Sequence, residues 1–308
     1  MQHILVTGGG YLGSVIANYL LANEYKVTVL DNYMRPMSDF MLYLNRFSNY
    51  NFIKMDIRDK KLKDALKDVD IVVHTAALSG QPLCDSNPSE AWSVNVDGTE
   101  NILYSKQPDA KIIFHSSGSA YGKVKDICTE TTPTNPQSLY ASTKLDAEEL
   151  LLGNSPQSVI VYRFSTAYGL SGLMRTNLLL NDLCYQAICG QTLTIFQPDF
   201  RRSFIHTSDI AYAILAGIEN FNAMSGEIFN IGNKNGNWSK RQCAEYIKSL
   251  TGCHVEYREN GYIDPDQRDY EISFEKIKPF WEAKVSMETG LAELVKGLKT
   301  LYEPSKYR

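Results

Sequence analysis

The chain has 308 residues, 44% of them hydrophobic, and carries 31 lysines and arginines against 35 aspartates and glutamates, for a formal net charge of −4. This length and apolar content support one large domain or two modest ones, and the acidic balance argues against a general nucleic-acid binder, whose surface is normally basic. No apolar run reaches the roughly 18 residues of a membrane span, so no membrane partner is expected.

The first stretch, Ile4-Leu5-Val6, is short and apolar and runs into Thr7-Gly8-Gly9-Gly10-Tyr11-Leu12-Gly13; apolar periodicity then continues to Leu21. This reads as strand, glycine turn and helix. Gly8, Gly10 and Gly13 give the spacing G-x-G-x-x-G. The first glycine permits the tight bend, the second lets a pyrophosphate approach the backbone, and the third lets helix pack on strand. Free N–H groups at the helix start then hold the anion. The chain opens on this strand without the basic segment and apolar stretch of a signal peptide, which gives the expectation of a cytoplasmic protein. Six scattered cysteines with no C-x-x-C pair read as reduced thiols, and no metal site is expected.

Further apolar runs at 26–30, 51–55, 69–75, 110–115 and 158–164 alternate with helical patterns, clearest at 12–22, 88–105 and 138–152. The alternation predicts an α/β fold, a doubly wound parallel sheet of Rossmann type. The second strand ends at Asp31, about 20 residues beyond the glycine turn, where a carboxylate accepts hydrogen bonds from an adenosine ribose and repels a 2′-phosphate. NAD is therefore expected over NADP, with Arg35 close enough to soften the preference. Asp56, ending the third strand, suits either the adenine edge or a loop cap.

Ile112 to Phe114 lead through His115 into Ser116-Ser117-Gly118-Ser119, a strand entering a small-residue turn. Ser117 is placed to bond a reacting oxygen, with Ser116 and Ser119 as neighbours; serines here equally serve turn backbone. His115 reads as a sheet residue. The polar stretch 129–137 is a loop. Tyr140-Ala141-Ser142-Thr143-Lys144 then gives Y-x-x-x-K in the first turns of a strong helix, where positions i and i+4 are stacked neighbours. A lysine ammonium beside a tyrosine favours the phenolate, so the phenol can take a proton from a hydroxyl as hydride leaves carbon. The same spacing at Tyr50, Tyr121 and Tyr302 falls on a strand, a glycine loop and a proline segment. After residue 166 the pattern loosens, with helices expected near 175–189, 207–220, 239–250 and 287–301 and strands near 192–196 and 227–231. The division expected is a dinucleotide-binding domain over 1–166 with a return segment about 203–226, and a smaller substrate-binding lobe from 167–202 and 227–308.

The glycine turn, Asp31, the Ser-Ser-x-x-x-Tyr-Gly stretch and Tyr140/Lys144 together resemble the extended short-chain dehydrogenase/reductase family, which includes nucleotide-sugar epimerases, dehydratases and reductases. His74-Thr75-Ala76-Ala77, Asn95-Val96-Asp97-Gly98-Thr99, Arg202-Ser203-Phe204-Ile205-His206 with Asp209, Phe229-Asn230-Ile231-Gly232 and Arg268-Asp269-Tyr270 match later landmarks, so the resemblance covers nearly the whole chain. It implies Ser117, Tyr140 and Lys144 as catalytic residues. The NAD-binding set it implies begins with Gly8, Gly10, Tyr11, Leu12 and Gly13, continues through Asp31, Asn32, Asp56, Ile57, Ala76, Ala77 and Asn95, and shares Tyr140 and Lys144. A nucleotide-diphosphate sugar would meet Ser117, Ser119, Asn177, Arg202 and Arg268; arginine suits phosphate through its fixed fork of donors. A homodimer through the helices near 88–105 and 138–152 is implied as well, with Trp92 and Leu145, Leu150, Leu151 and Leu152 on that face or in the core.

The chain also departs from the family. Its glycine turn is one residue shorter than the usual G-x-x-G-x-x-G. Gly118 and Ser119 stand where dehydratases carry an Asp-Glu pair, and Ser119 stands where the epimerising reductases of the fucose pathway carry a cysteine. What remains is oxidation at C4 of a nucleotide-linked sugar, giving a C4 dehydrogenase or a 4-epimerase. Segments 76–84, 200–202 and 264–270 resemble a subgroup containing a GDP-heptose C4 dehydrogenase, which implies surface-polysaccharide biosynthesis. A 4,6-dehydratase or 4-keto reductase of the same family, and a non-catalytic NAD-binding scaffold or sensor, are the alternatives.

Overall fold

A computed structural model describes residues 1–34, 39–258 and 269–302. The first half runs β1 (His3–Thr7), α1 (Tyr11–Ala22), β2 (Lys26–Asp31), β3 (Tyr50–Lys54), β4 (Ile71–His74), α2 (Gly98–Ser105), β5 (Lys111–Ser117), α3 (Leu139–Asn154) and β6 (Val159–Phe164). The second half runs β7 (Thr166–Tyr168), α4 (Leu179–Ile188), β8 (Leu193–Phe196), β9 (Arg201–His206), α5 (Thr207–Glu219), β10 (Ile228–Ile231), β11 (Asn237–Ser239), α6 (Lys240–Thr251), β12 (Val255–Arg258) and α7 (Met287–Tyr302). Seven strands form one parallel sheet in the order β10-β6-β5-β4-β1-β2-β3. The six apolar runs of the first half are six of these strands.

Alternate residues of each strand enter different cores. Ile4, Val6, Val27, Val29 and Ile113 pack beneath α1 and α5, where Tyr19 and Tyr212 bring their rings within 4.7 Å. Leu5, Leu30, Val72, Ile112 and Phe114 pack beneath Ile102 and Leu103 of α2 and Ala147 and Leu151 of α3. Both faces of the sheet are thus covered, as the unbroken Val/Ile/Leu runs require. A third core joins α4, α6 and α7. There β11-β9-β7 form one small sheet and β12-β8 another.

Two boundaries differ from the sequence reading. The stretch assigned to the lobe from 227 onward begins with β10, which is the edge strand of the large sheet and pairs with Val161–Phe164. Its pairing partner lies more than 60 residues earlier, so no local pattern announces it. The single helix expected over 88–105 is three pieces: Pro88–Trp92, a wider π-type turn at Ser93–Asp97, and α2. That turn carries Asn95 inward. Asp209, at the start of α5, is fully buried and accepts hydrogen bonds from the backbone N–H groups of Lys284 (2.9 Å) and Val285 (3.0 Å), which ties the entrance of α7 to the sheet.

Candidate active site

The carboxyl ends of β1, β2, β4 and β5 open into one cavity of about 350 Å³. At its start the glycine turn is built by contact. Gly8 has φ +81° and donates its N–H to Leu30 O at 2.7 Å; a Cβ there would lie 2.9 Å from Ala76 Cα. A Cβ on Gly13 would lie 1.8 Å from Gly8 O. Gly10 differs, because a Cβ there meets nothing within 4 Å. The first and third glycines are therefore required by the protein itself, whereas the second borders open space on the cavity wall, where a pyrophosphate fits against the start of α1.

Asp31 ends β2 and lines the cavity, its carboxylate accepting the N–H of Gly9 (2.8 Å) and of Tyr33 (2.7 Å). Asp56 accepts from Asn32 Nδ2 (2.7 Å) and from the backbone and guanidinium of Arg58, which hold its carboxyl far below the usual carboxylate range. Asn32, Asp56 and Ile57 line the cavity beside Asp31, and Leu12, Ala76 and Ala77 line its middle. Open space at Gly10 with a carboxylate at the ribose position fits a dinucleotide. Arg35 lies outside the described residues.

Tyr140, Ser117 and Ser119 line the same cavity. Helix α3 starts where Ser138 Oγ accepts the N–H of Ala141 at 3.3 Å, and this cap sets Tyr140 in the first turn. Lys144, one turn later, is 1% exposed and is not on the cavity wall; its ammonium lies 4.2 Å from the centre of the Phe114 ring. Burial pushes its pKa down to about 7, against the charge of Glu148, which raises it. Glu148 is four residues further on and 2% exposed. It pairs with Arg163 of β6 (2.6 Å), and Ser116 Oγ donates to it. Ser117 Oγ bonds Ser119 Oγ at 2.8 Å. His115, read as a sheet residue, borders the cavity, and burial lowers its pKa to about 3, so it is neutral.

Other expected site residues are placed differently. Asn95 does not line the cavity: its amide accepts from Leu78 N (2.7 Å) and donates to Leu78 O (3.1 Å) and Thr143 Oγ1 (2.9 Å), fastening the loop after β4 to α3. These bonds hold the cavity wall in place. Asn177 does not line the cavity either and accepts from Arg175 Nε at 3.2 Å. Arg202 is 2% exposed on β9, off the cavity wall, and donates to Arg201 O. Arg268 lies outside the described residues.

Two residues not singled out in the sequence line the cavity, and a third, Glu148, lies buried behind it beside the Lys144 charge. Arg175 lines the cavity and donates to Ser79 Oγ at 3.0 Å. Thr166 lines it too, and its Oγ1 is buried without a hydrogen-bond partner among the described residues. Glu148 was legible only as the acid four residues after Lys144. The helix expected from 175 begins only at Leu179, so Arg175 sits in the irregular stretch ahead of it.

The family model described as "NAD dependent epimerase/dehydratase family" matches residues 4–232. The UDP-glucuronic acid decarboxylase 6 of Arabidopsis thaliana is 30% identical over 306 residues, covering 94% of this chain and 87% of the relative. Among solved structures, the UDP-glucuronic acid 4-epimerase of Bacillus cereus in complex with UDP-glucuronic acid and NAD is 26% identical with a TM-score of 0.87, covering 98% of this chain and 100% of that one. The dTDP-glucose 4,6-dehydratase of Bacillus anthracis in complex with NAD is 28% identical with a TM-score of 0.85, covering 98% of each chain.

Proposed function

The chain belongs to the NAD-dependent epimerase/dehydratase family and is an enzyme that transforms a nucleotide sugar with NAD; within that class we propose that it oxidises C4 of the sugar, yielding a 4-ketone or, after reduction on the other face, the 4-epimer. One observation carries the reading: Ser117 and Tyr140 share a single cavity with the glycine turn, with Lys144 one helical turn behind Tyr140.

Bound NAD supplies the hydride acceptor. The remaining steps belong to this chain. Tyr140 takes the proton of the C4 hydroxyl, because its phenol is the acid–base group on the wall and the Lys144 ammonium, when charged, favours the phenolate. Ser117 bonds the same oxygen and holds it toward Tyr140. Asp31 receives the ribose of the adenosine half. Ser79, Thr166 and Arg175 line the end facing the sugar, and Arg175 suits a diphosphate or a sugar carboxylate.

Water elimination needs an acid and a base beside the tyrosine. The carboxylates that line the cavity among the described residues, Asp31 and Asp56, sit at the adenosine end, and Gly118 and Ser119 supply none. This favours release or re-reduction of the 4-ketone over water elimination, which would follow the same C4 oxidation. The relatives named for UDP-glucuronic acid make that compound the first substrate to test, and a product feeding surface-polysaccharide assembly is consistent with this chemistry. Trp92 (41% exposed) and Tyr104 (65% exposed) on the 88–105 segment support a homodimer through that face. No helix among the described residues is long and apolar enough to cross a membrane.

The test is product analysis by NMR after incubating the purified enzyme with NAD and UDP-sugars, UDP-glucuronic acid first. A C4-inverted sugar, or a 4-ketone that keeps its C6 oxygen, supports the proposal, and a decarboxylated 4-keto pentose from UDP-glucuronic acid still reports C4 oxidation because a β-keto acid loses CO2. A product neither oxidised nor inverted at C4, or a 6-deoxy-4-keto product, overturns it.

A further inference from the structure

Tyr11 is the first residue of α1 and lies on the cavity wall beside Gly10. Its hydroxyl bonds to the lobe. It donates to Gly169 O at 2.8 Å and accepts from Asn181 Nδ2 at 3.1 Å, all in buried surroundings. Asn181, of α4, is fully buried, and its amide reaches both ends of one segment: Oδ1 accepts the N–H of Gly169 (3.1 Å) and Nδ2 also donates to Arg175 O (2.9 Å). Between those ends Ser171 Oγ donates to the backbone carbonyl of Tyr11 at 2.6 Å and accepts the N–H of Leu173 at 3.1 Å. Gly169 has φ +120°, and a Cβ there would meet the His206 ring at 2.6 Å, so the segment leaves β7 in a conformation that glycine alone adopts without strain. Leu173, Met174 and Arg175 then line the cavity. Burial raises the Tyr11 phenol far above its usual range, so it remains a donor throughout the working pH range.

We infer that Tyr11 and Asn181 are positioning residues: they tie segment 169–175, and with it Arg175, to the helix start that receives the cofactor's pyrophosphate, so that cofactor binding and nucleotide-sugar binding strengthen each other. Ordering the first turn of α1 by cofactor fixes the Tyr11 hydroxyl and carbonyl, and these are the anchors of the segment. A segment already ordered loses less entropy when the sugar nucleotide arrives, and the coupling is reciprocal. The substrate half of this inference rests on the function proposed above; the anchoring half does not.

The experiment is hydrogen exchange of segment 169–175 with and without NAD, alongside the affinity for UDP, in the wild type and in Tyr11→Phe. In the wild type, NAD slows exchange across 169–175 and lowers the Kd for UDP by about tenfold, within the usual range of coupling. In Tyr11→Phe, compared with the wild type at saturating NAD, the slowing is lost and the effect on UDP falls below about twofold. Ser171→Ala, which cuts the second anchor at a residue off the cavity wall, gives the same direction. Exchange across 169–175 that ignores NAD in the wild type, or responds equally in both variants, overturns the inference. Exchange that behaves as expected while neither UDP nor any UDP-sugar binds supports the anchoring and overturns the substrate reading instead.

Discussion

The Lys144 ammonium lies 4.2 Å from the centre of the Phe114 ring and inside the protein, whereas Tyr140, one helical turn earlier, faces the cavity. Burial has lowered the lysine to a pKa of about 7. An unfolded lysine titrates near about 10.4. Between those values the unfolded chain binds more protons than the folded one, so the stability contributed by this group rises with pH and is lost as pH falls toward 7. Lys144→Met therefore melts a few degrees higher than the wild type near pH 7, and the gain fades toward pH 10. Under the proposed mechanism the same variant should lose turnover by about 100-fold or more, because the cation one helical turn behind Tyr140 is gone. Thermal melts across that pH range, paired with rates, check both statements.

Glu148 and Arg163 form a buried pair at 2.6 Å, 2% and 4% exposed. Removing one partner leaves the other as an uncompensated buried charge, which costs about 3–5 kcal/mol. Glu148→Gln should show that loss in urea unfolding. Replacing the pair together, as Glu148→Gln with Arg163→Met, should recover a large part of it. A double variant no more stable than the single one would contradict this.

The glycines of the turn separate folding from binding. Gly13→Ala meets Gly8 O at 1.8 Å and should yield little folded protein. Gly10→Ala meets nothing within 4 Å and should fold with an unchanged melting temperature. It should nevertheless bind NAD at least about tenfold more weakly, because its methyl takes the space where the pyrophosphate approaches the backbone. Calorimetric titration with NAD reads the second effect and circular dichroism the first.

Asp31 accepts two backbone N–H groups and faces the cavity with the remainder of its carboxylate. Asp31→Ser should raise the Kd for NAD and lower that for NADP, shrinking the preference by about tenfold or more through loss of the repulsion toward a 2′-phosphate. An unchanged ratio would place the ribose elsewhere.

Much of the fold could be read from the residues, because a strand buried on both faces writes itself as an apolar run and the helices between carry their own period. The glycine turn and Tyr140/Lys144 were legible for a related reason: each is a short-range pattern whose spacing has a mechanical meaning. What was not legible depends on residues far apart in sequence. The strand near 227–231 was expected, but its place at the edge of the large sheet rests on pairing with β6, and the contacts of Tyr11 with Gly169 and Asn181 span more than 150 positions. The motif around Asn95 is local and was legible, whereas its bonds to Leu78 and Thr143 were not. Arg175 was read as the start of a helix, yet it stands in the irregular segment before α4, where it lines the cavity and bonds Ser79.

In the proposed mechanism the Tyr140 phenol removes the proton as hydride leaves C4. The most direct measurement is rapid mixing of NAD-loaded enzyme with the sugar nucleotide it turns over, followed by reduced-cofactor absorbance, in the wild type and in Tyr140→Phe. Loss of the phenol should slow the absorbance rise by about 100-fold or more while leaving the affinities for NAD and UDP near those of the wild type. An equal rate in the two proteins would contradict the mechanism.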